Sequence, residues 1–311
     1  MEFPLVSVLM VSYNSEKFIK EAIDSVLNQT YNNFEIIICD DNSQDDTKTI
    51  INVYSDSRIR KFFNEKNLGE YLNRNNAVFH SKGEYIIFID ADDLMYPHGL
   101  AFIMDFAREF PECGMLISRE WEERVIYPKV ISPHQFYCFE FLDMGICGIN
   151  FTKVLFKTKA LKATSLFPPK VKLGDLYIQY EMALTEYALI IPDASTWWRR
   201  RPGQASEKLL NDVVIHTTHD LWIKIEKLND PRCPLSDEER QLAFKNIYGA
   251  FLRHLLRLIF KLKWSSVIKL YKLYPVPFKY ITAVFEQQQR DYFNIYNGNN
   301  PLKETAADLV S

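Results

Sequence analysis

The sequence predicts an α/β fold: a mainly parallel sheet flanked by helices, with a helical extension at its C-terminal end. Three observations predict it. Short continuous apolar runs alternate with amphipathic helical stretches through about the first hundred residues, three of those runs end in polar clusters, and the chain from about Asn211 onward reads almost wholly as helix.

Leu5 to Tyr13 is a β-rich apolar run, and Asn14 or Ser15 can cap the helix that follows. From Glu16 to Gln29 the apolar residues Phe18, Ile19, Ala22, Ile23, Val26 and Leu27 recur at helical spacing and form one stripe. Phe34 to Cys39 is a second apolar run, the mark of a strand covered on both faces. Ser43-x-x-Asp46 reads as a capping box opening a second helix. Tyr85 to Ile89 is a further buried strand, and Pro97 suits the first turn of a helix presenting Leu100, Ile103, Met104 and Ala107. Met115 to Ser118 reads as a strand. Residues 120–170 read as irregular segments and short strands, Asp175 to Glu186 as helix, and Ile190-Ile191 as strand. Strand and helix in alternation imply parallel pairing through right-handed crossovers.

With 311 residues, 47% of them hydrophobic, the chain can bury a large core, and its formal charge of −3 gives no global attraction to nucleic acid. The five cysteines are scattered and never form C-x-x-C, which argues against a disulfide scaffold or a zinc site and favours a reducing, cytoplasmic setting. Cys39, inside an apolar run, reads as a small core residue. Neither a signal peptide nor an apolar run of about 18 residues is recognisable.

Ligands of open α/β sheets bind beyond the carboxyl ends of the strands. Ser12-Tyr13-Asn14, Asp40-Asp41-Asn42-Ser43 and Asp90-Ala91-Asp92-Asp93 each follow an apolar run, so a parallel sheet brings all three to one rim. Asp90 and Asp92, two residues apart, share a face of an extended segment. Like charges that close call for a cation, and Mg²⁺ or Mn²⁺ suits a carboxylate pair bridging protein to diphosphate. Asp41 at a strand end can accept from the imino N–H of uracil or guanine, which adenine lacks. Tyr13 can stack on a base or serve as a core tyrosine.

These segments resemble the family 2 glycosyltransferases of GT-A fold. The resemblance rests on Val6 to Asn14, on Ile23-x-Ser25-Val26-Leu27-x-Gln29-Thr30-Tyr31 and on Ile37 to Ser43. It continues through Asn67-x-Gly69, Arg74-Asn75 and Gly83-Glu84-Tyr85 into Asp90-Ala91-Asp92-Asp93. It implies that Ser12, Tyr13, Asn14, Asp41, Arg74 and Asp90 surround a nucleotide-sugar and that Asp92, with Asp90, binds the metal. For Arg74, a solvated helix position is the competing reading. Leu173-Gly174-Asp175-Leu176 is similar to the family's catalytic acidic motif, with Gly174 where a glutamate is usual. The resemblance makes Asp175 the catalytic base; by residue type alone it could also cap a helix. Trp197 to Ser206 is similar to the family's Tyr-Arg segment, with Arg201 at the place of a metal-binding histidine. Arg199 and Arg201 would clamp the diphosphate.

The implied activity is inverting transfer of a sugar from a nucleotide diphosphate carrier, UDP foremost, to a hydroxyl of a glycan or lipid-linked acceptor. A sugar-nucleotide-binding protein with impaired chemistry, or a nucleotidyltransferase on a related sheet, are the alternatives. The expected organisation is a catalytic domain over residues 1–208, divided at 98 into nucleotide and acceptor halves, and a helical region over 209–311. Within Gln241–Tyr280 stand eight Lys or Arg and no Asp or Glu, interleaved with Leu, Ile, Phe and Trp264. That pattern fits an anionic membrane surface, which would place the protein on the inner face of the cell membrane, or a subunit contact in a homo-oligomer. No nucleic-acid-reading motif accompanies it.

Overall fold

The computed structural model describes residues 3–119, 127–143, 145–147, 150–199, 204 and 212–285. The chain divides into two compact units, Met1–Pro133 with Gly148–His219 and His134–Cys147 with Asp220–Ser311.

The first unit is built on β1 (Val6–Ser12), β2 (Phe34–Asp40), β3 (Ile59–Phe63), β4 (Tyr85–Asp90), β6 (Met115–Arg119), β7 (Lys129–Ile131), β8 (Val154–Lys157) and β9 (Ala188–Pro192). They form one eight-stranded sheet in the order β3-β2-β1-β4-β8-β6-β9-β7. β1, β2, β3 and β4 pair in parallel, as do β6 and β9. The alternation of strands and helices implied parallel pairing, and for most of the sheet it holds. β8 departs from it: it runs antiparallel to both β4 and β6, and β7 is antiparallel to β9. Its four residues, Val-Leu-Phe-Lys, carry an apolar run like any buried strand, and apolar content does not encode direction.

Helices α1 (Ile19–Leu27), α2 (Thr47–Val53), α3 (Glu70–His80) and α4 (Gly99–Glu109) connect the N-terminal strands. α1 buries Ile19, Ala22, Ile23 and Val26 against the sheet, the stripe expected from its spacing. α4 buries Leu100, Ile103, Met104 and Ala107, two residues beyond the expected start at Pro97. The capping box at Ser43 does not form. α2 begins at Thr47 without a side-chain cap, and the Ser43 hydroxyl donates to Asp40 and accepts from the Asn14 backbone N–H. Asp40 is fully buried and needs those donors more than an exposed helix end does. Cys39 is a buried core thiol, as expected, and none of the five cysteines is in a disulfide.

The second unit contains α5 (Pro133–Leu142), α9 (Asp237–Phe260) and α10 (Trp264–Leu273); α6 (Thr158–Ala163), α7 (Gly174–Met182) and α8 (Val213–Asn229) precede α9 in the chain. α5, unforeseen in an aromatic-rich stretch, starts with proline at its first position, where a missing N–H costs nothing. Ser236 and Glu239 close a capping box at the start of α9. Among the described residues no helix is long and apolar enough to cross a membrane.

Candidate active site

Register brings the strand ends together. Ser12 lies opposite Asp40 and Val11 opposite both Cys39 and Asp90, so all three polar clusters sit on the carboxyl edge of β2, β1 and β4. Two of the six N-terminal candidates mainly hold that edge in shape. The Ser12 hydroxyl is buried and donates to Asp40. Asn14 takes a left-handed backbone, φ 50°, and its side-chain oxygen accepts from the Gln44 N–H. Tyr13 between them is 51% exposed, a free ring at the rim rather than a core tyrosine.

Asp41 is buried and accepts three hydrogen bonds. One carboxylate oxygen takes the Leu68 N–H at 2.8 Å and the Asn64 amide at 2.9 Å; the other takes the Gly69 N–H at 2.8 Å. Gly69 stands at φ 88°, a conformation that favours glycine, and directly precedes α3. Asp41 therefore shapes the loop leading into α3, and the oxygen with a single bond keeps acceptor capacity.

α3 is polar along much of its length, and the side it buries includes Asn73 and Arg74 beside Ala77 and Val78, a pattern that marks a working helix rather than a scaffold one. Asn73 donates to the Cys39 carbonyl, and Asn75 exchanges two hydrogen bonds with the Phe167 backbone. Arg74 is 2% exposed, so it is not a solvated helix arginine. Its Nη2 donates to Asp90 at 2.6 Å and to Glu70 at 3.0 Å, and its guanidinium lies 4.3 Å over the Phe151 ring. Burial disfavours its charge, but Asp90 and Glu70 outweigh that and hold its pKa above the ordinary arginine value. Nε and Nη1 of Arg74 are buried without a hydrogen-bond partner in the protein.

β5 (Leu94–Met95) and β10 (Thr196–Trp197) form a two-stranded antiparallel ribbon that carries Arg199 back to the acidic cluster. The Arg199 backbone N–H donates to Asp93, its Nε to the Asp92 carbonyl at 2.8 Å, and its Nη2 to Glu21 at 2.6 Å. Arg199 thus fastens the ribbon to α1 and to the acidic turn. Arg201, together with Arg200, lies outside the described residues.

Asp93 is buried, and its carboxyl is pushed up to about 8 by burial first and by the neighbouring Asp90 charge next, with Asp92 adding to both. Three acids on one turn, with Arg74 on Asp90 and the Arg199 backbone N–H on Asp93, form an oxygen-rich donor set that a hard divalent cation would relieve.

Asp175 is the second residue of α7, inside the first turn rather than at its N-cap, which is Leu173. One of its oxygens accepts the Leu176 N–H at 2.9 Å. Burial raises its carboxyl to about 6; Glu70 pushes the same way while Arg74 opposes. Asp175 therefore shares its electrostatic environment with the Glu70–Arg74–Asp90 cluster. Gly174 before it fits against the Tyr71 ring, where any Cβ would collide.

Residues 7–164 match the family model described as Glycosyl transferase family 2. This chain belongs to that family. WfgD of Escherichia coli, a UDP-Glc:alpha-D-GlcNAc-diphosphoundecaprenol beta-1,3-glucosyltransferase, is 45% identical over 94 residues, covering 30% of this chain and 37% of its own. An uncharacterized glycosyltransferase of Haemophilus influenzae is 26% identical over 252 residues, covering 73% of this chain and 78% of its own. The match to WfgD thus spans little more than a third of that relative. Among solved structures, S. aureus TarS 1-349 in complex with UDP-GlcNAc superposes with TM-score 0.66 at 20% identity, covering 90% of this chain and 81% of that one. Pyrobaculum calidifontis mannosyltransferase PcManGT, in complex with GDP-Man and Mn2+, gives TM-score 0.60 at 19% identity, with 99% and 81% covered. The chain is thus a member of glycosyl transferase family 2 with the GT-A fold of these structures.

Within this family 2 site, reading the residues in sequence missed Glu70, Tyr71 and Asn73, and gave Asp93 a place in the acidic cluster but no role of its own. A signal existed for the first three. Glu70-Tyr71-Leu72-Asn73-Arg74-Asn75-Asn76 is a helix with few residues able to face a core, which asks what else its buried side would touch.

Proposed function

We propose that this glycosyltransferase catalyses inverting transfer from a UDP-sugar to a hydroxyl of a lipid-linked glycan acceptor. One observation carries the reading: Asp175, raised to about 6, shares the Glu70–Arg74 environment that also ties down Asp90 at the end of β4. A base near the working pH thus belongs to the same cluster as the acidic strand end. The activity of WfgD, with a UDP-glucose donor and a diphosphoundecaprenol-linked acceptor, supports the choice of donor and acceptor class.

In this mechanism the Asp175 oxygen not engaged by the Leu176 N–H takes the acceptor proton. The acceptor oxygen forms its bond to the anomeric carbon as the bond to the diphosphate breaks, which inverts that centre. Asp41 retains one lone pair for the imino N–H of the base, and exposed Tyr13 offers a stacking face. Arg74 holds Asp90 in place, and Arg199 holds the acidic turn. A divalent ion, Mg²⁺ or Mn²⁺, bound by Asp90 and Asp92 would neutralise charge on the departing diphosphate. The raised carboxyl of Asp93 supports that fit.

The alternative of a binding protein with impaired chemistry rests on Gly174 and on Arg201 at the place of the metal-binding histidine. The Tyr71 ring against Gly174 gives that glycine a packing reason and weakens the alternative. Incubating the protein with UDP-glucose, Mn²⁺ and a GlcNAc-diphospholipid should yield a β-linked product. Asp175→Asn should lower turnover by about 10²–10⁴-fold while donor affinity is kept. Full transfer by Asp175→Asn would refute the assignment.

The C-terminal helices extend the reading to the membrane. α10 buries only Leu270, while Trp264, Ile268 and Tyr271, at positions i, i+4 and i+7, are exposed beside Lys263, Lys269 and Lys272. About half of each of these three side chains, which form one apolar stripe, stays exposed among the described residues. An anionic bilayer, where a lipid-linked acceptor resides, suits both its ring content and its charge.

A further inference from the structure

The geometry points to a metal centre in the second unit: we propose that His134, Cys138 and Glu239 bind one Zn²⁺ ion there. Read in sequence alone, the scattered cysteines argue against a zinc site, and here the third ligand lies 105 residues from the first. The fold assembles it. His134 and Cys138 stand four apart on α5, on one helical face. Glu239 is in the first turn of α9.

Three potential ligand atoms converge. His134 Nε2 lies 3.1 Å from Glu239 Oε1, Cys138 Sγ lies 3.6 Å from that same Nε2, and Sγ lies 3.7 Å from Oε1. A tetrahedral zinc with bonds of about 2.0–2.2 Å to N and O and about 2.3 Å to S spaces its ligand atoms by about 3.3–3.6 Å. The triangle, with edges of 3.1, 3.6 and 3.7 Å, is within a few tenths of an ångström of those dimensions. Glu239 is prepared for the role: its Oε2 is held by the Ser236 N–H at 2.9 Å, the kind of outer hydrogen bond that orients a ligating carboxylate. An ion pair between histidine and glutamate alone would not require a buried thiol as the third member.

One adjustment is needed. Sγ is 3.9 Å from Nδ1, nearly as close as to Nε2, so the sulfur lies beside the imidazole rather than along the Nε2 lone pair. Ligation turns the ring about its Cβ–Cγ bond, and a side chain 38% exposed has room to turn. The Cys138 proton is released to solvent as the metal–thiolate bond forms. Three protein ligands leave the fourth position to water, and the ion would clamp α5 to the start of α9. This centre is separate from the cation proposed at Asp90 and Asp92 and does not depend on the transferase mechanism.

The test uses the full chain. Purified without chelator and passed through gel filtration, it should retain one equivalent of zinc by elemental analysis. Co²⁺ in its place should show a thiolate-to-metal charge-transfer band. That band should persist in Cys147→Ser and Asp92→Asn and vanish in Cys138→Ser. Zinc affinity should fall at least about tenfold in Cys138→Ser and in His134→Ala. X-ray absorption at the zinc edge of the unmutated protein should show one sulfur in the first shell, a measurement that needs no variant to fold. A protein that binds no zinc, a shell of nitrogen and oxygen alone, or a cobalt band surviving in Cys138→Ser would overturn the proposal.

Discussion

The Tyr71 ring occupies the space that a side chain at position 174 would need, and its hydroxyl donates to the Lys172 carbonyl at 3.1 Å. Phe167 backs the ring at 5.7 Å between centroids, and burial pushes the phenol pKa well up, with Glu70 and then Asp175 adding to it. The catalytic candidate therefore enters its helix along a wall made by α3. In relatives with a glutamate at this place the wall must be built differently.

Gly174→Ala should consequently destabilise the protein by about 1–3 kcal/mol, the usual cost of overpacking. Activity should fall further than stability explains, because the shift is passed directly to Asp175. Tyr71→Ala removes the obstacle, so the Tyr71→Ala/Gly174→Ala pair should show a smaller combined cost than the sum of the single changes. Thermal unfolding and turnover of all four proteins make the double-mutant cycle. Strict additivity would show that the ring and the glycine do not constrain each other.

Arg74→Met should cost about 1–3 kcal/mol, the range for hydrogen bonds to charged groups, since Asp90 and Glu70 both lose a partner at once. Both carboxylates have side chains more than a third exposed and can rehydrate, which keeps the loss below that of a wholly buried pair. Arg74→Lys should recover little of it, because one ammonium cannot reproduce the fork that reaches both acids. Urea unfolding reports the stability, and the Michaelis constant for the donor reports the displacement of Asp90.

The raised carboxyl of Asp175 gives two pH effects of definite sign. As a base it must be ionised, so turnover should rise with pH through about 6 and fall about tenfold per unit below it. In stability the sign is opposite. A folded pKa above the unfolded value of about 4 means the folded state holds its proton more tightly. The stabilisation is complete below about pH 4 and is lost as pH climbs to about 6. Asp175→Asn removes the ionisation cost, so its melting temperature relative to the parent should increase between pH 4 and pH 7. A constant difference across that range would contradict the raised value.

What could be read from the sequence was whatever a local period or strand end encodes. Val6–Ser12, Phe34–Asp40 and Tyr85–Asp90 are largely apolar runs that stop at acids or serine, so the strands and their common rim were visible. The direction of Val154–Lys157 was not, because direction depends on the path of the preceding chain. Ser43 fits a capping box by spacing, yet its hydroxyl turns to Asp40, whose full burial sets a stronger demand. Glu70, Tyr71 and Arg74 acquire their meaning only from Asp90, Gly174 and Asp175. Those are contacts between elements, and no spacing within one helix announces them.

The membrane attachment proposed for α10 can be separated into apolar and electrostatic contributions. Trp264, Ile268 and Tyr271 are exposed on one side of a helix whose single buried residue is Leu270, so replacing the three with serine should leave the fold intact. Flotation with vesicles rich in anionic lipid should be lost in that triple variant. Reversing Lys263, Lys269 and Lys272 to glutamate should abolish binding to anionic vesicles, since each cation near such a surface contributes about 1 kcal/mol. Binding of the parent should weaken as salt rises and vanish with wholly zwitterionic vesicles. If the exposed stripe instead meets a second copy of the chain, the triple variant would change oligomeric state in sedimentation and the parent would not float. Transfer to a water-soluble acceptor should be equal in parent and triple variant. Transfer to a lipid-linked acceptor in vesicles should drop only in the variant, because the stripe acts on access to the substrate rather than on Asp175.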